Sequence, residues 1–72
     1  MTANRMIELM NRTPFEPLEI HLNDGEQIQV LYPYEISTRP NSPTCTIYTD
    51  DDRMQIVSYR NITEVVTARN GE

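Results

Sequence analysis

The sequence predicts a mainly β domain in which one N-terminal helix precedes about five short antiparallel strands in a small, barrel-like sheet. Three observations lead to this fold class. Apolar residues recur with a helical period in residues 2–12. They alternate with polar residues in 17–32, 44–57 and 62–67, as is typical of half-buried strands. Residues 33–43 contain three prolines and show no period, which is typical of a loop.

The first predicted element is a helix that spans residues 2–12. Thr2 is suited to be its N-cap, because a threonine hydroxyl can accept from an early backbone N–H. Met6, Leu9 and Met10 follow the i, i+3, i+4 spacing that places side chains on one helix face. Three turns are too short to be stable alone, so we expect this face to dock on the strands.

Residues 17–32 are predicted to form the first hairpin, with Asn23-Asp24-Gly25 as its loop. A three-residue hairpin loop needs a residue with positive φ at its end, and Gly25 can adopt that conformation. This loop pairs Ile20 with Ile28, so the apolar faces of the two strands coincide.

After the loop at 33–43, residues 44–57 are predicted to form the second hairpin. We expect a four-residue loop, Asp50 to Arg53, between its strands. The expected pairs are Ile47 with Ile56 and Thr49 with Met54.

The chain then turns at residues 58–61, forms a last strand at 62–67 and ends in a tail at 68–72. With 72 residues it has room for a single domain, residues 1–72. A domain of this size buries only about 60 % of its unfolded surface. One cysteine excludes an internal disulfide. Self-association is therefore the expected source of further stability.

Two valines are the candidate subunit interface. Val65 and Val66 are consecutive in a predicted strand, so their side chains face opposite sides of the sheet and one is expected to be exposed. We expect the strand at 44–49 or the strand at 62–67 to be a sheet edge that pairs with another subunit. The predicted partner is thus a second copy of the chain, as a homo-oligomer, or another protein.

The charge disfavours several function classes. The formal net charge is −5, the isoelectric point is about 4.7, and all six basic residues are arginine. Such an acidic chain repels phosphate, which disfavours nucleic acid as a partner without excluding a local arginine contact. No run approaches the ~20 apolar residues of a membrane span. A free thiol and the lack of an apolar signal segment predict a cytoplasmic protein that does not bind membranes.

No residue pattern predicts an enzyme, a metal site or a cofactor. His21 is the only histidine and Cys45 the only cysteine, and catalysis would need them to meet in space with a third orienting group. Asp50 to Asp52 lack the alternating ligands and central glycine of a calcium loop and are interpreted as a solvated turn.

The stretch PFEPLEIHLNDGEQIQVLYP resembles a family of short uncharacterised bacterial proteins. Their recurrent pattern is Pro-Phe-x-Pro-aromatic-x-Ile-x-Leu-x-Asp-Gly, followed by a second strand that ends in His-Pro. The matching residues are Pro14, Phe15, Pro17, Ile20, Leu22, Asp24, Gly25 and Pro33. Leu18 stands at the aromatic position and Tyr32 at the histidine position. The resemblance implies no activity.

The order of elements looks like the Sm-like or SH3-like small barrel. The stretch YRNITEVV is similar to the second Sm motif of the bacterial Sm-like RNA chaperone, in which Tyr-Lys-His is followed by Ala-Ile-Ser and two valines. Tyr59, Arg60 and Asn61 match its first three positions, with one residue fewer before the following isoleucine. The resemblance implies that these residues contact single-stranded RNA.

Tyr34 is a further candidate contact, together with Tyr59, Arg60 and Asn61. Tyrosine and arginine stack on nucleic-acid bases, and they are equally enriched at protein interfaces. The sequence therefore predicts a non-enzymatic interaction or assembly module. Its alternative function is that of an Sm-like single-stranded RNA-binding protein.

Overall fold

The computed structural model describes residues 1–49 and 51–67, so the predicted tail at 68–72 and Asp50 of the predicted loop lie outside the described residues. The predicted class is confirmed, because this part of the chain has one N-terminal α-helix and six strands. The elements are α1 (Ala3–Met10), β1 (Leu18–Leu22), β2 (Gln27–Val30), β3 (Ile36–Ser37), β4 (Thr44–Tyr48), β5 (Met54–Ser58) and β6 (Ile62–Thr67). Short 3-10 turns at Pro33–Glu35 and Tyr59–Asn61 precede β3 and β6.

The strands form two antiparallel sheets rather than a closed barrel, so the predicted barrel is not confirmed. The first sheet has the order β2-β1-β6, and the second has the order β3-β4-β5. β3 lies inside the predicted loop 33–43, where Ile36 pairs with Ile47 of β4. β4 is therefore the central strand of its sheet, and the prediction that the strand at 44–49 is a free edge is wrong.

The first hairpin has the predicted register. Ile20 pairs with Ile28, and the Leu22 amide donates to the Glu26 carbonyl at 2.9 Å. Gly25 has a φ of 92°, a conformation that glycine adopts without steric cost. The loop between Leu22 and Glu26 thus combines a turn with a positive-φ residue, as the sequence predicts.

The second hairpin differs from the prediction by one residue. The Thr49 amide donates to the Arg53 carbonyl at 2.9 Å, and Ile47 pairs with Gln55 instead of Ile56. The loop is one residue shorter than expected because Asp52 adopts positive φ, 64°, and takes the place that Gly25 has in the first hairpin. A shift of one residue exchanges the two faces of a strand.

The core lies between the two sheets and α1. The N-cap of α1 is Thr2, whose hydroxyl accepts from the Arg5 amide at 3.2 Å. The helix and both sheets contribute the buried apolar side chains, which are Ala3, Met6, Leu9, Leu18, Ile20, Ile28, Val30, Ile36, Cys45, Ile47, Val57, Tyr59 and Ile62. Met54 and Ile56 are absent from this core because the register of β5 places Val57 and Tyr59 inside.

Candidate functional site at the sheet edges

The outer strand of the second sheet, β5, presents backbone groups away from its partner strand. The Thr49–Arg53 bond and a second bond from the Tyr59 amide to the Pro43 carbonyl, 2.9 Å, fix which residues of β5 pair with β4. In an antiparallel ladder these hydrogen-bonded pairs alternate with pairs whose N–H and C=O groups point outward. The outward-pointing residues of β5 are Met54, Ile56 and Ser58.

The same strand carries two exposed apolar side chains. Met54 is 64 % exposed and Ile56 is 70 % exposed. Tyr48, which pairs with Met54 across the ladder, is 42 % exposed. These three residues form a continuous apolar strip on the outer face of the second sheet, which we call the β5 strip. Exposed apolar surface at a free edge is the combination that promotes pairing with another chain.

The sixth strand, β6, is the other predicted edge, and it lies at the border of the first sheet. Val65 is half-buried, packs against the core and pairs with Ile20. Val66 is also half-buried, so neither candidate interface valine is fully exposed. A groove of about 240 Å³ lies between this edge and α1, and it is lined by Arg5 of α1 and by Arg12, which follows the helix. Residues of α1 therefore lie beside β6 across this groove.

The predicted RNA-contacting residues have different environments. Tyr59 is only 4 % exposed, and its hydroxyl donates to Thr38 Oγ1 at 2.8 Å. Burial raises the pKa of Tyr59 to about 12, with the hydrogen bond to Thr38 acting in the opposite direction. The ring of Tyr59 is thus part of the core and is not accessible for stacking on a base in this structure.

Arg60 and Asn61 lie together on the exposed turn between the two sheets. The Asn61 carbonyl accepts from the Asn23 amide at 2.8 Å, which ties this turn to the first hairpin loop. Tyr34 lies on the other 3-10 turn, 75 % exposed, with its ring stacked on Tyr32 at a centroid distance of 5.3 Å. Of the four candidates, the structure therefore leaves three accessible, on two separate turns.

Among the described residues, His21 and Cys45 lie apart from each other. His21 is on the outer face of the first sheet, where its Nε2 lies 2.7 Å from Glu19 Oε1 and its Nδ1 lies 3.6 Å from Glu64 Oε1. Cys45 is buried in the core, and burial raises the pKa of its thiol. The only histidine therefore lies on the outer face of a sheet, whereas the only cysteine lies in the core. Within residues 1–49 and 51–67, no three His, Cys, Asp or Glu side chains are placed to hold a metal ion.

Met54 and Ile56 are surface residues that the expected register did not predict, since it paired Ile56 with the buried Ile47. The signal that indicates their position is the side chain of Asp52, because aspartate tolerates positive φ better than most residues. A three-residue loop that ends at Asp52 gives the observed register and leaves Ile56 outside.

Comparisons with protein-family models, curated proteins and solved structures give no significant match. Among the described residues, no helix has both the length and the apolar character needed to cross a bilayer.

Proposed function

We propose that this chain is a non-enzymatic assembly module that joins a second copy of itself through β5. The observation that carries the proposal is the β5 strip, in which Met54 and Ile56 are exposed on a strand with outward-pointing backbone groups. A 72-residue chain has a small core, and pairing of its edge strand is a direct way to bury more apolar surface.

A two-fold axis beside Ile56 gives a self-complementary interface. Ile56 then lies opposite Ile56 of the second copy, and Met54 lies opposite its Ser58. All of these residues have outward-pointing N–H and C=O groups, so the ladder of the second sheet continues across the axis. The joined sheet has six strands, in the order β3-β4-β5 followed by its two-fold image.

Charge favours the same arrangement. The axis that pairs Ile56 with itself brings the loop of Asp52 towards the 3-10 turn of Arg60 in the second copy, twice per dimer and just beyond the paired strands. Arg60 is exposed and takes part in no ion pair within the described part of the chain. An exposed pair of this kind contributes about 0–1 kcal/mol, so it selects the register more than it supplies affinity.

The Sm-like barrel is the finer fold that we propose for this module. Two features support it: the order β6-β1-β2, which continues along the chain into β3-β4-β5, and the 3-10 turn Tyr59–Asn61 before the last strand. The alternative function, single-stranded RNA binding, is supported by the exposed side chains of Arg60 and Asn61. The net charge of −5 and the burial of Tyr59 favour assembly over RNA binding.

Light scattering coupled to size exclusion at micromolar concentration tests the proposal. We expect a mass near twice 8.4 kDa that falls towards 8.4 kDa on dilution. Ile56→Arg is expected to weaken association at least tenfold, because it places like charges opposite each other across the axis. Tyr34→Arg is the matched control, since Tyr34 is equally exposed but lies outside β5. A monomer at all concentrations, or equal effects of the two variants, contradicts the proposal.

The variant Val66→Arg tests whether β6 or β5 forms the subunit interface. If β6 joins the subunits, this variant weakens association and Ile56→Arg does not. If β5 joins them, the reverse result is expected, because Val66 lies on the outer face of the first sheet. Titration with a short single-stranded RNA at low salt tests the alternative function, since phosphate contacts strengthen as salt is lowered. We expect no salt-dependent binding.

A further inference from the structure

A groove of about 240 Å³ runs along β2, the other free edge of the first sheet. One wall is the edge of β2, from Glu26 to Leu31, and the other is the end of the second hairpin. Tyr48 and Gln55 belong to that second wall. The groove shares Tyr48 with the β5 strip, but it follows the border of the first sheet, and Met54 and Ile56 do not line it.

The backbone of β2 presents hydrogen-bonding groups to this groove. The bond between the Leu22 amide and the Glu26 carbonyl, together with the pairing of Ile20 with Ile28, shows that the backbone groups of Glu26 and Ile28 face β1. Alternation then directs the N–H and C=O groups of Gln27 and Gln29 away from β1 and into the groove. The row of unpaired backbone groups on this edge ends at Leu31, whose amide donates to Glu35 Oε1 at 2.7 Å.

The groove is negatively charged at both ends. Glu26 stands at one end, where its Oε1 accepts from Gln55 Nε2 at 3.1 Å. Glu35 stands at the other end, where its carboxylate caps the turn before β3. None of the described residues that line the groove is an arginine. Leu31, beside Glu35, and Tyr48, on the opposite wall, are each 42 % exposed and offer an apolar contact.

We infer that this groove binds an extended, basic segment of a partner protein as a fourth strand of the first sheet. Four residues of β2 span about 13 Å, which matches a segment of about four or five residues. Its backbone pairs with Gln27 and Gln29, its cationic side chains reach Glu26 and Glu35, and a neighbouring apolar side chain contacts Leu31.

The charge of the groove favours a basic peptide over the other ligands that could pair with β2. A second copy of β2 brings its own Glu26 into the groove, and like charges across a ladder destabilise pairing. Nucleic acid is disfavoured, because both carboxylates repel phosphate. A basic extended peptide satisfies the outward-pointing backbone groups and both carboxylates at once.

Fluorescence anisotropy with a labelled Lys-Val-Lys-Val-Lys peptide tests the inference. Glu26→Gln combined with Glu35→Gln removes both charges but keeps an acceptor oxygen for each existing hydrogen bond. We expect at least a tenfold loss of affinity in this double variant, and a similar loss as salt is raised. Glu8→Gln combined with Glu64→Gln is the control, because those carboxylates lie outside the groove; it is expected to bind as the native chain does.

Two altered peptides test the mode of binding without changing the protein. A Glu-Val-Glu-Val-Glu peptide is expected not to bind, and a Lys-Val peptide with N-methylated alternate amides is expected to lose binding because it cannot complete the ladder. Unchanged affinity of the double variant, or equal binding of the methylated peptide, overturns the inference. Repeating the titration with Ile56→Arg separates this site from assembly through β5, since the groove is expected to bind whether or not the chain is dimeric.

Discussion

The two hairpins have loops of the same length and the same closing hydrogen bonds, but they leave very different surfaces. In the first, the Gly25 amide donates to the Leu22 carbonyl at 3.0 Å; in the second, the Asp52 amide donates to the Thr49 carbonyl at 3.2 Å. Both loops end in a residue with positive φ. A glycine at the end of a predicted turn indicates positive φ, whereas an aspartate there is compatible with positive φ and with several other backbone conformations.

This difference decides which side chains each sheet exposes. The outer face of the first sheet is mainly polar and carries Glu19, His21, Gln27, Gln29 and Glu64. The outer face of the second sheet carries the β5 strip. The position of a single positive-φ residue thus sets whether an alternating strand exposes polar or apolar side chains to a partner.

The largest expected effect comes from truncating an isoleucine on the inner face of the second hairpin, compared with one on its outer face. Ile47→Ala is expected to destabilise the chain by about 2–5 kcal/mol, because Ile47 is fully buried. Ile56→Ala is expected to change stability by less than about 0.5 kcal/mol in the monomer, because its side chain is exposed. Urea unfolding at low concentration measures both.

If Ile47→Ala does not fold, Ile47→Val gives the same comparison, with an expected loss of about 0.5–1.5 kcal/mol. Similar losses for Ile47 and Ile56 would show that the two residues pair on the same face and that the observed register is wrong.

Tyr59 gives an independent test of the register, because it is buried on the same side of the chain as Val57. Tyr59→Phe removes the hydroxyl that donates to Thr38 and is expected to cost about 0.5–1.5 kcal/mol. The pKa of Tyr59 is raised from 10.0 to about 12, so folding favours the neutral phenol. This contribution to stability is complete below pH 10 and is lost as pH rises towards about 12.

Unfolding curves between pH 9 and pH 12 are expected to show this loss in the native chain, and a smaller loss in Tyr59→Phe. An identical pH dependence for both chains would indicate that the Tyr59 hydroxyl is solvated.

The smallest expected effects come from exchanging the loop residues. Asp52→Gly is expected to stabilise the chain by up to about 1 kcal/mol, since it relieves positive φ at a residue with a Cβ. Gly25→Asp is expected to destabilise it by a similar amount, although a Cβ there meets no atom within 4 Å. Thermal unfolding of the two single variants measures this. Effects of the same sign would mean that the two loops are not equivalent.

Much of the fold could be predicted because its signals are local. The helical period around Met6 and Leu9, and the glycine of the first hairpin, are visible within a few residues. β3 could not be predicted in this way, because a two-residue strand has no period and depends on pairing with β4 at a distance. The burial of Tyr59 depends likewise on contacts from Thr38 and Cys45.

For the candidate site, the sequence predicted that a sheet edge is involved but not which strand forms it. A free edge was expected, but β3 covers one side of β4, and only the three-dimensional structure shows this. Val65 and Val66 belong to an edge as expected, and both are half-buried because α1 lies beside β6 and the outer face of the first sheet packs around Val66. Which edge is accessible depends on this tertiary packing, for which no local pattern exists.

Disulfide cross-linking at Ile56 tests the pairing of β5 with β5 most directly. In a background with Cys45→Ala, an Ile56→Cys variant places two thiols on opposed residues whose Cα atoms are about 5.5 Å apart, within the range of a disulfide. The proposed dimer predicts rapid, near-complete formation of a covalent species of twice 8.4 kDa under mild oxidation, with Thr63→Cys on β6 as a slow control. A chain that stays at 8.4 kDa, or that cross-links equally fast through both positions, would contradict assembly through β5.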